Sequence, residues 1–311
     1  MKHIDPHVHC RDGVEVRKAN IRKVSELARE QGIVHICDIP SINCPILTES
    51  DVVERLDLAR RRRPVIGYSV FMTLTSKEEQ IKEAVRVAQK YQEVAGLKLY
   101  PPDNEKSVVY KTLAKLGYSG VLAVHAEKAS LFKPKLFDYK RPWTHNLARP
   151  PETEIASIKE QIQFAKEADF KGTLYICHIT LPESAAIIWQ AKNYLNIYSE
   201  VTPHHLLLSD LQMRGENGLS LKVNPPLRSR ESVMGLLKDV RFGLIDCIGS
   251  DFAPHLTTEK LLPPYLSGIA SYQLYGMALD YLRDQGLSEK DIEKLTYWNI
   301  KKVFGEKLKN A

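Results

Sequence analysis

His7 and His9 lie one residue apart near the start of the chain, in the run Asp5-Pro6-His7-Val8-His9-Cys10-Arg11-Asp12-Gly13. Side chains on a strand alternate with period 2, so both imidazoles face one side. Ile4 and Val8 lead into Asp12-Gly13, which reads as a strand delivering both rings to its C-terminal end. Neutral imidazoles paired this way form half a site for a divalent cation such as zinc. Ionisable side chains recur in or just after later apolar runs. They are Lys98 in Gly96-Leu97-Lys98-Leu99-Tyr100, His125 in Val124-His125-Ala126-Glu127, His178 in Ile176-Cys177-His178-Ile179 and Asp251 in Ile248-Gly249-Ser250-Asp251. A lone histidine after an apolar run is more often a satisfied core residue. His7, His9, His125, His178 and Asp251 together point to a metal centre.

Lys98 is the odd member. A lysine flanked by leucines in a strand is an inward charge that needs a partner. One reading is an ion pair with an acid on a neighbouring strand. The other is chemical: a desolvated amine that has lost its proton can react with carbon dioxide. The resulting carbamate has two anionic oxygens and can bridge two cations. Spacing alone leaves the two readings equal.

The elements that must carry these groups alternate along the chain. Strand-like runs are Ile4–Val8, Ile33–Ile39, Val65–Phe71, Gly96–Tyr100, Val121–His125, Thr173–Ile179, Ile197–Val201 and Leu244–Gly249. Helical patterns lie near Val16–Gln31, Thr48–Arg62, Lys77–Tyr91, Tyr110–Leu116, Glu152–Ala168, Glu183–Lys192 and Glu231–Arg241, with a last barrel helix over Ile269–Arg283. Glu289–Phe304 reads as a terminal helix packed on the outside. Eight strands separated by helices predict an α/β fold of the (β/α)8 TIM-barrel type, with residues 1–311 as one domain. A doubly wound open sheet is the alternative, but no GxGxxG follows the first strand. Irregular stretches at Pro101–Val108, Phe132–Pro151 and Thr257–Gly268 follow strands 4, 5 and 8, where a barrel keeps its functional loops. The first and last of these are the expected lids.

Composition narrows the function classes. The 311 residues are 43% hydrophobic and 26% charged, ordinary for a globular protein. No run approaches the length of a membrane span. The chain is strand-like by its fourth residue, which predicts no signal peptide. Five cysteines, odd in number and without CxxC spacing, read as reduced thiols in a cytoplasmic protein. The net charge of +6 suits an anionic ligand, but much of it sits on helix faces such as Arg60-Arg61-Arg62-Arg63, read as a solvated helix end. Neither nucleic acid nor membrane is expected as a partner.

The motifs resemble the amidohydrolase superfamily and, within it, the dihydroorotases. The matching segments are Asp5–Gly13, Ile42-Asn43-Cys44-Pro45, Leu97-Lys98-Leu99-Tyr100-Pro101, Val124–Glu127, His178-Ile179, Val201-Thr202-Pro203-His204-His205-Leu206, Val223-Asn224-Pro225-Pro226-Leu227-Arg228 and Gly249-Ser250-Asp251-Phe252-Ala253-Pro254-His255. The resemblance implies a zinc-dependent enzyme that reversibly cyclises N-carbamoyl-L-aspartate to (S)-dihydroorotate in de novo pyrimidine biosynthesis. It implies two Zn2+ per chain. His7, His9 and Asp251 hold one, His125 and His178 the other, and carboxylated Lys98 bridges them. A shared hydroxide is the implied nucleophile and Asp251 the general acid/base. Arg11, two residues after His9, faces the same side, and its guanidinium can grip a carboxylate in two-point fashion. By resemblance Asn43 and His255 complete that clamp, and Asn224 and the backbone near Gly268 contact the pyrimidine ring.

The chain departs from relatives in places. Phe252 stands where histidine is frequent, Cys10 replaces a commoner leucine, and no segment is expected to form the accessory β-sandwich. Expected partners are the small-molecule substrate, and a second copy of the chain or aspartate transcarbamoylase. The alternatives are another cyclic amidohydrolase, such as an allantoinase or hydantoinase, and an inactive homologue partnering aspartate transcarbamoylase. The carboxylate clamp argues against the former, and the full ligand set against the latter.

Overall fold

The computed structural model describes residues 1–41 and 43–308, so Ile42 of the Ile42–Pro45 motif lies outside the described residues. Eight parallel strands run in chain order: β1 (His3–Val8), β2 (Ile33–Asp38), β3 (Gly67–Leu74), β4 (Val94–Leu99), β5 (Val121–Val124), β6 (Thr173–Ile176), β7 (Ile197–Val201) and β8 (Cys247–Ile248). The helices between them are α1 (Ile21–Glu30), α2 (Glu49–Arg62), α3 (Glu78–Lys90), α4 (Val108–Lys115), α5 (Pro151–Glu167), α6 (Pro182–Ala191) and α7 (Arg230–Arg241), and α8 (Tyr272–Asp284) follows β8. This is the expected (β/α)8 barrel. The start signals are local. Asn20, Thr48 and Ser229 accept hydrogen bonds from backbone N–H groups in the first turns of α1, α2 and α7, while Pro151 and Pro182 open α5 and α6.

The ring closes between β1 and β8 without a long ladder. Asp251 N–H donates to His7 O at 2.8 Å and His9 N–H to Phe252 O at 2.8 Å. The ring of Phe252 stacks on Tyr272 of α8, with centroids 4.6 Å apart.

Two apolar layers fill the molecule. One lies between the strands and the surrounding helices, with Leu97, Leu99, Val124 and Ile176 packing on residues such as Val85, Leu113 and Ile162. The other joins Cys37, Phe71, Ala123, Tyr175 and Cys247 to Ile300, Val303 and Phe304. The terminal segment therefore does not lie on the outer wall as expected from sequence. It covers the lower end of the barrel, with the Phe304 ring 5.9 Å from Phe71 and 5.7 Å from Tyr175. The continuous helix expected over Glu289–Phe304 is two α-helical turns, Glu289–Glu293 and Asn299–Phe304, joined by a π-helical turn. A short helix, Thr257–Leu261, also occupies part of the expected loop after β8.

Candidate metal centre and substrate cavity

A cavity of about 380 Å³ opens at the C-terminal ends of the strands. His7, His9, His125, His178 and Asp251 line its floor, and Arg11, Asn43, Asn224, His255 and Gly268 line its walls. Lys98 is fully buried and does not line it. A second cavity, of about 420 Å³, is lined by residues such as Trp189, Lys192 and Asp246 and contains none of these groups.

His7, at the end of β1, and His9, just beyond it, converge on Asp251. Their Nε2 atoms lie 3.4 and 3.1 Å from Asp251 Oδ1. Each ring is held through its other nitrogen: His9 Nδ1 donates to Ile39 O at 2.6 Å, and His7 Nδ1 pairs with Glu200 Oε1 at 2.8 Å. Such outer partners fix the tautomer, so that Nε2 is the nitrogen offered to a cation. His178, just past β6, lies with its ring centroid 5.3 Å from His7 and 4.5 Å from His125. Its backbone N–H donates to Glu200 Oε1 at 3.1 Å, and its Nδ1 is buried without a partner.

Charge follows from this packing. Burial opposes a proton on His7, but the Glu200 and Asp251 carboxylates outweigh it and push its pKa up to about 10. Burial holds His9, His125 and His178 below the usual histidine range, leaving them neutral. Burial also opposes ionisation of Asp251, yet the positive charge on His7 outweighs it and brings the carboxyl well below the usual carboxylate range. A buried centre that draws a proton onto one ring while keeping the others neutral is suited to a cation.

Lys98 supplies the second test of fit. Its Nζ donates to Cys177 Sγ at 2.8 Å, and among the described residues it forms no ion pair. The neighbouring-acid reading of Lys98 is therefore not the one the fold adopts. A fully buried amine beside metal-ligand candidates, with a thiol as hydrogen-bond acceptor, fits the carbamate reading better.

Three of these residues sit at positive φ: Arg11 at 59°, His178 at 38° and Asp251 at 45°. The left-handed region costs a non-glycine residue about 1–3 kcal/mol and is retained where the surroundings impose it. At each position the chain is turning off a strand end into the cavity. Gly268 needs its freedom outright. At φ 151° a Cβ would meet Ala253 O at 2.5 Å and His255 Cδ2 at 2.8 Å.

The wall is built from the loops after β1, β2, β7 and β8. Arg11 Nε donates to Pro254 O at 3.1 Å, and its Nη2 lies 3.1 Å from His255 Nε2. Burial and the Arg11 charge lower the His255 pKa to about 4, so it stands beside the guanidinium as a neutral ring. Asn43 is exposed at the rim. Asn224 Oδ1 accepts from His145 Nε2 at 2.8 Å. Lys260 Nζ ties the loops after β7 and β8 together, donating to Lys222 O at 2.8 Å and Gly268 O at 2.6 Å.

Glu200 is one of the residues packed against the candidate ligands that sequence reasoning passed over. It is fully buried on β7 and gathers His7, the His178 backbone and Tyr175 Oη (2.9 Å). Gly249 leaves room for it, since a Cβ there would meet Glu200 Oε2 at 2.5 Å. The available signal was an acid facing inward on a strand, two residues before Thr202-Pro203-His204-His205. His7, Cys177 and Glu200 also bring potential ligand atoms within 4.8 Å of one another.

No family model matches the chain. Among curated proteins, the dihydroorotase of Aeropyrum pernix is 31% identical over 268 residues, covering 85% of this chain and 59% of that protein. The dihydroorotase of Lactobacillus acidophilus is 28% identical over 266 residues, covering 83% and 61%. That of Methanosarcina mazei is 27% identical, covering 97% and 69%. The chain is thus similar to dihydroorotases over most of its length. It spans about three-fifths of the length of the first relatives it matches. Among solved structures, the L-hydantoinase (dihydropyrimidinase) of Arthrobacter aurescens aligns with a TM-score of 0.84 at 22% identity, over 97% of this chain and 70% of that one. A D-hydantoinase (dihydropyrimidinase) from Thermus sp. aligns with a TM-score of 0.81 at 21% identity, over 98% and 70%. At these identities the structural likeness concerns the fold. Among the described residues, no helix is long and apolar enough to cross a membrane.

Proposed function

We propose that the chain is a zinc-dependent dihydroorotase, interconverting N-carbamoyl-L-aspartate and (S)-dihydroorotate in pyrimidine biosynthesis. The observation that carries the reading is the Arg11–His255 pair on the wall of the same cavity whose floor is His7, His9, His125, His178 and Asp251. Hydantoin and dihydrouracil carry no carboxylate for such a pair to hold.

His7, His9 and Asp251 would hold one cation and His125 and His178 the other, with the Lys98 carbamate between them. In forming that carbamate, neutral Nζ bonds to the carbon of carbon dioxide and one N–H proton leaves to solvent. The two cations would lower the pKa of water toward neutrality and polarise the scissile carbonyl. The residues do the rest. Arg11, Asn43 and His255 orient the substrate carboxylate. Asn224 and the Gly268 backbone hold the ring edge. Ionised Asp251 takes a proton from the attacking water and delivers it to the departing amide nitrogen. Ring closure runs the same steps backwards, with loss of water. The working unit in this reading is the single barrel domain, in the cytoplasm, alone or with a second copy or aspartate transcarbamoylase.

The test measures both directions by dihydroorotate absorbance, with zinc determined on the same preparation. We expect turnover in both directions and about two zinc ions per chain. Hydrolysis of hydantoin or dihydrouracil, with no action on dihydroorotate, would overturn the assignment in favour of another cyclic amidohydrolase.

A further inference from the structure

His125 has two ring nitrogens, and the fold engages one of them. Nε2 lies 2.7 Å from Oε2 of Glu127, whose side chain is fully buried. A neutral ring that donates from Nε2 offers Nδ1 as its acceptor. Glu127 is in turn gripped by Arg149, whose Nε lies 3.1 Å from Oε1 and whose Nη2 pairs with Oε2. Arg149 closes the long loop after β5, and its guanidinium lies over the Phe132 ring at 4.0 Å, from the start of that loop. It also faces the substrate cavity.

Arg149 is itself pinned. Arg228, buried at 3% exposure, donates to the Arg149 carbonyl at 2.7 Å, to Asn146 Oδ1 at 2.9 Å and to Thr180 Oγ1 at 2.9 Å. Arg228 ends the Asn224-Pro225-Pro226-Leu227-Arg228 motif. The segment after β7 thus grips the end of the loop after β5, and that loop grips the carboxylate behind His125. With Nε and Nη2 both engaged on Glu127, that edge of the Arg149 guanidinium is committed to the carboxylate behind His125.

We propose that Arg149 is a positioning residue for the second cation: through Glu127 it fixes the orientation of His125, and Arg228 fixes Arg149. The inference rests on the reading of His125 as a metal ligand. Its test uses the cobalt(II)-loaded protein, whose visible absorption reports ligand geometry, together with transfer of cobalt to a chelator. Arg149→Met should change the absorption and weaken cobalt retention by about 10–100-fold. Arg149→Lys should restore part of both, and KM for dihydroorotate should move little. Unchanged absorption and retention with a raised KM would overturn the proposal and make Arg149 a substrate contact. Should Arg149→Met fail to fold, Arg149→Lys and Glu127→Gln carry the same readouts. Wild-type absorption and retention in both would equally overturn it. His125→Asn separates the two levels of the argument: if it keeps both cobalt ions, the ligand reading has failed rather than the role of Arg149.

Discussion

Asp251→Asn is expected to lower kcat by about 10³-fold or more while leaving the fold intact. The substitution keeps the size of the side chain, and the seam bond from Asp251 N–H to His7 O is made by the backbone and survives. What disappears is the negative charge that His7 and His9 face at 3.4 and 3.1 Å. An amide accepts no proton at neutral pH, so transfer from water to the leaving nitrogen loses its carrier. Steady-state rates in both directions, read beside a thermal melt and metal content, check this. Turnover near wild type would remove Asp251 from the proposed role.

Lys98→Ala is the second large effect. In the proposed reading it deletes the amine whose carbamate would bridge the two halves of the ligand set, and it leaves a void at a fully buried position. Metal content should fall and turnover with it. A short carboxylic acid such as acetate or propionate fits the vacated space and should restore part of both. Metal analysis and assays with and without the added acid decide the matter. Two firmly held cations in the variant without rescue would refute the carbamate bridge.

Much of the barrel was legible because each element carries a local signal. Ile197–Val201 matches its strand end for end, and Thr48 with Asp51 marks the start of α2. The misplaced boundaries have side chains doing backbone work. β3 starts at Gly67 rather than Val65 because Val65 N–H is taken by Ser25 Oγ at 3.0 Å. β8 shrinks to Cys247–Ile248, while Asp246 Oδ2 takes the Ser199 N–H at 2.8 Å, a place where a ladder bond could have formed. α1 starts at Ile21 rather than Val16 because Asp12 turns the preceding chain, accepting from Gly13 N–H and Ile21 N–H. That Asp12 is ion-paired to Arg62, so one of the four arginines read as a solvated helix end braces the segment beside Arg11.

The candidate site divides along the same line. Groups that announce themselves by type at strand ends were found, and the cavity gathers all of them except the buried Lys98. Glu200, Glu127 and Arg149 were not found, because their roles depend on which distant group they face. Glu200 meets a ring 193 positions away, and no local pattern encodes that encounter.

The seam between the first and last strands carries a cost in chain entropy. Asp5 Oδ1 accepts from Ser250 N–H at 2.9 Å across 245 positions, and the carboxylate and imidazoles of the first cation site flank that junction. Joining segments so far apart costs loop-closure entropy, and contacts of this kind form late in folding. No half-barrel can assemble that site; it comes into being only when the ring shuts. Any cation that binds it then favours the shut ring over every open form by mass action. In the proposed reading, the closure that shuts the barrel is also the step that assembles the reaction centre.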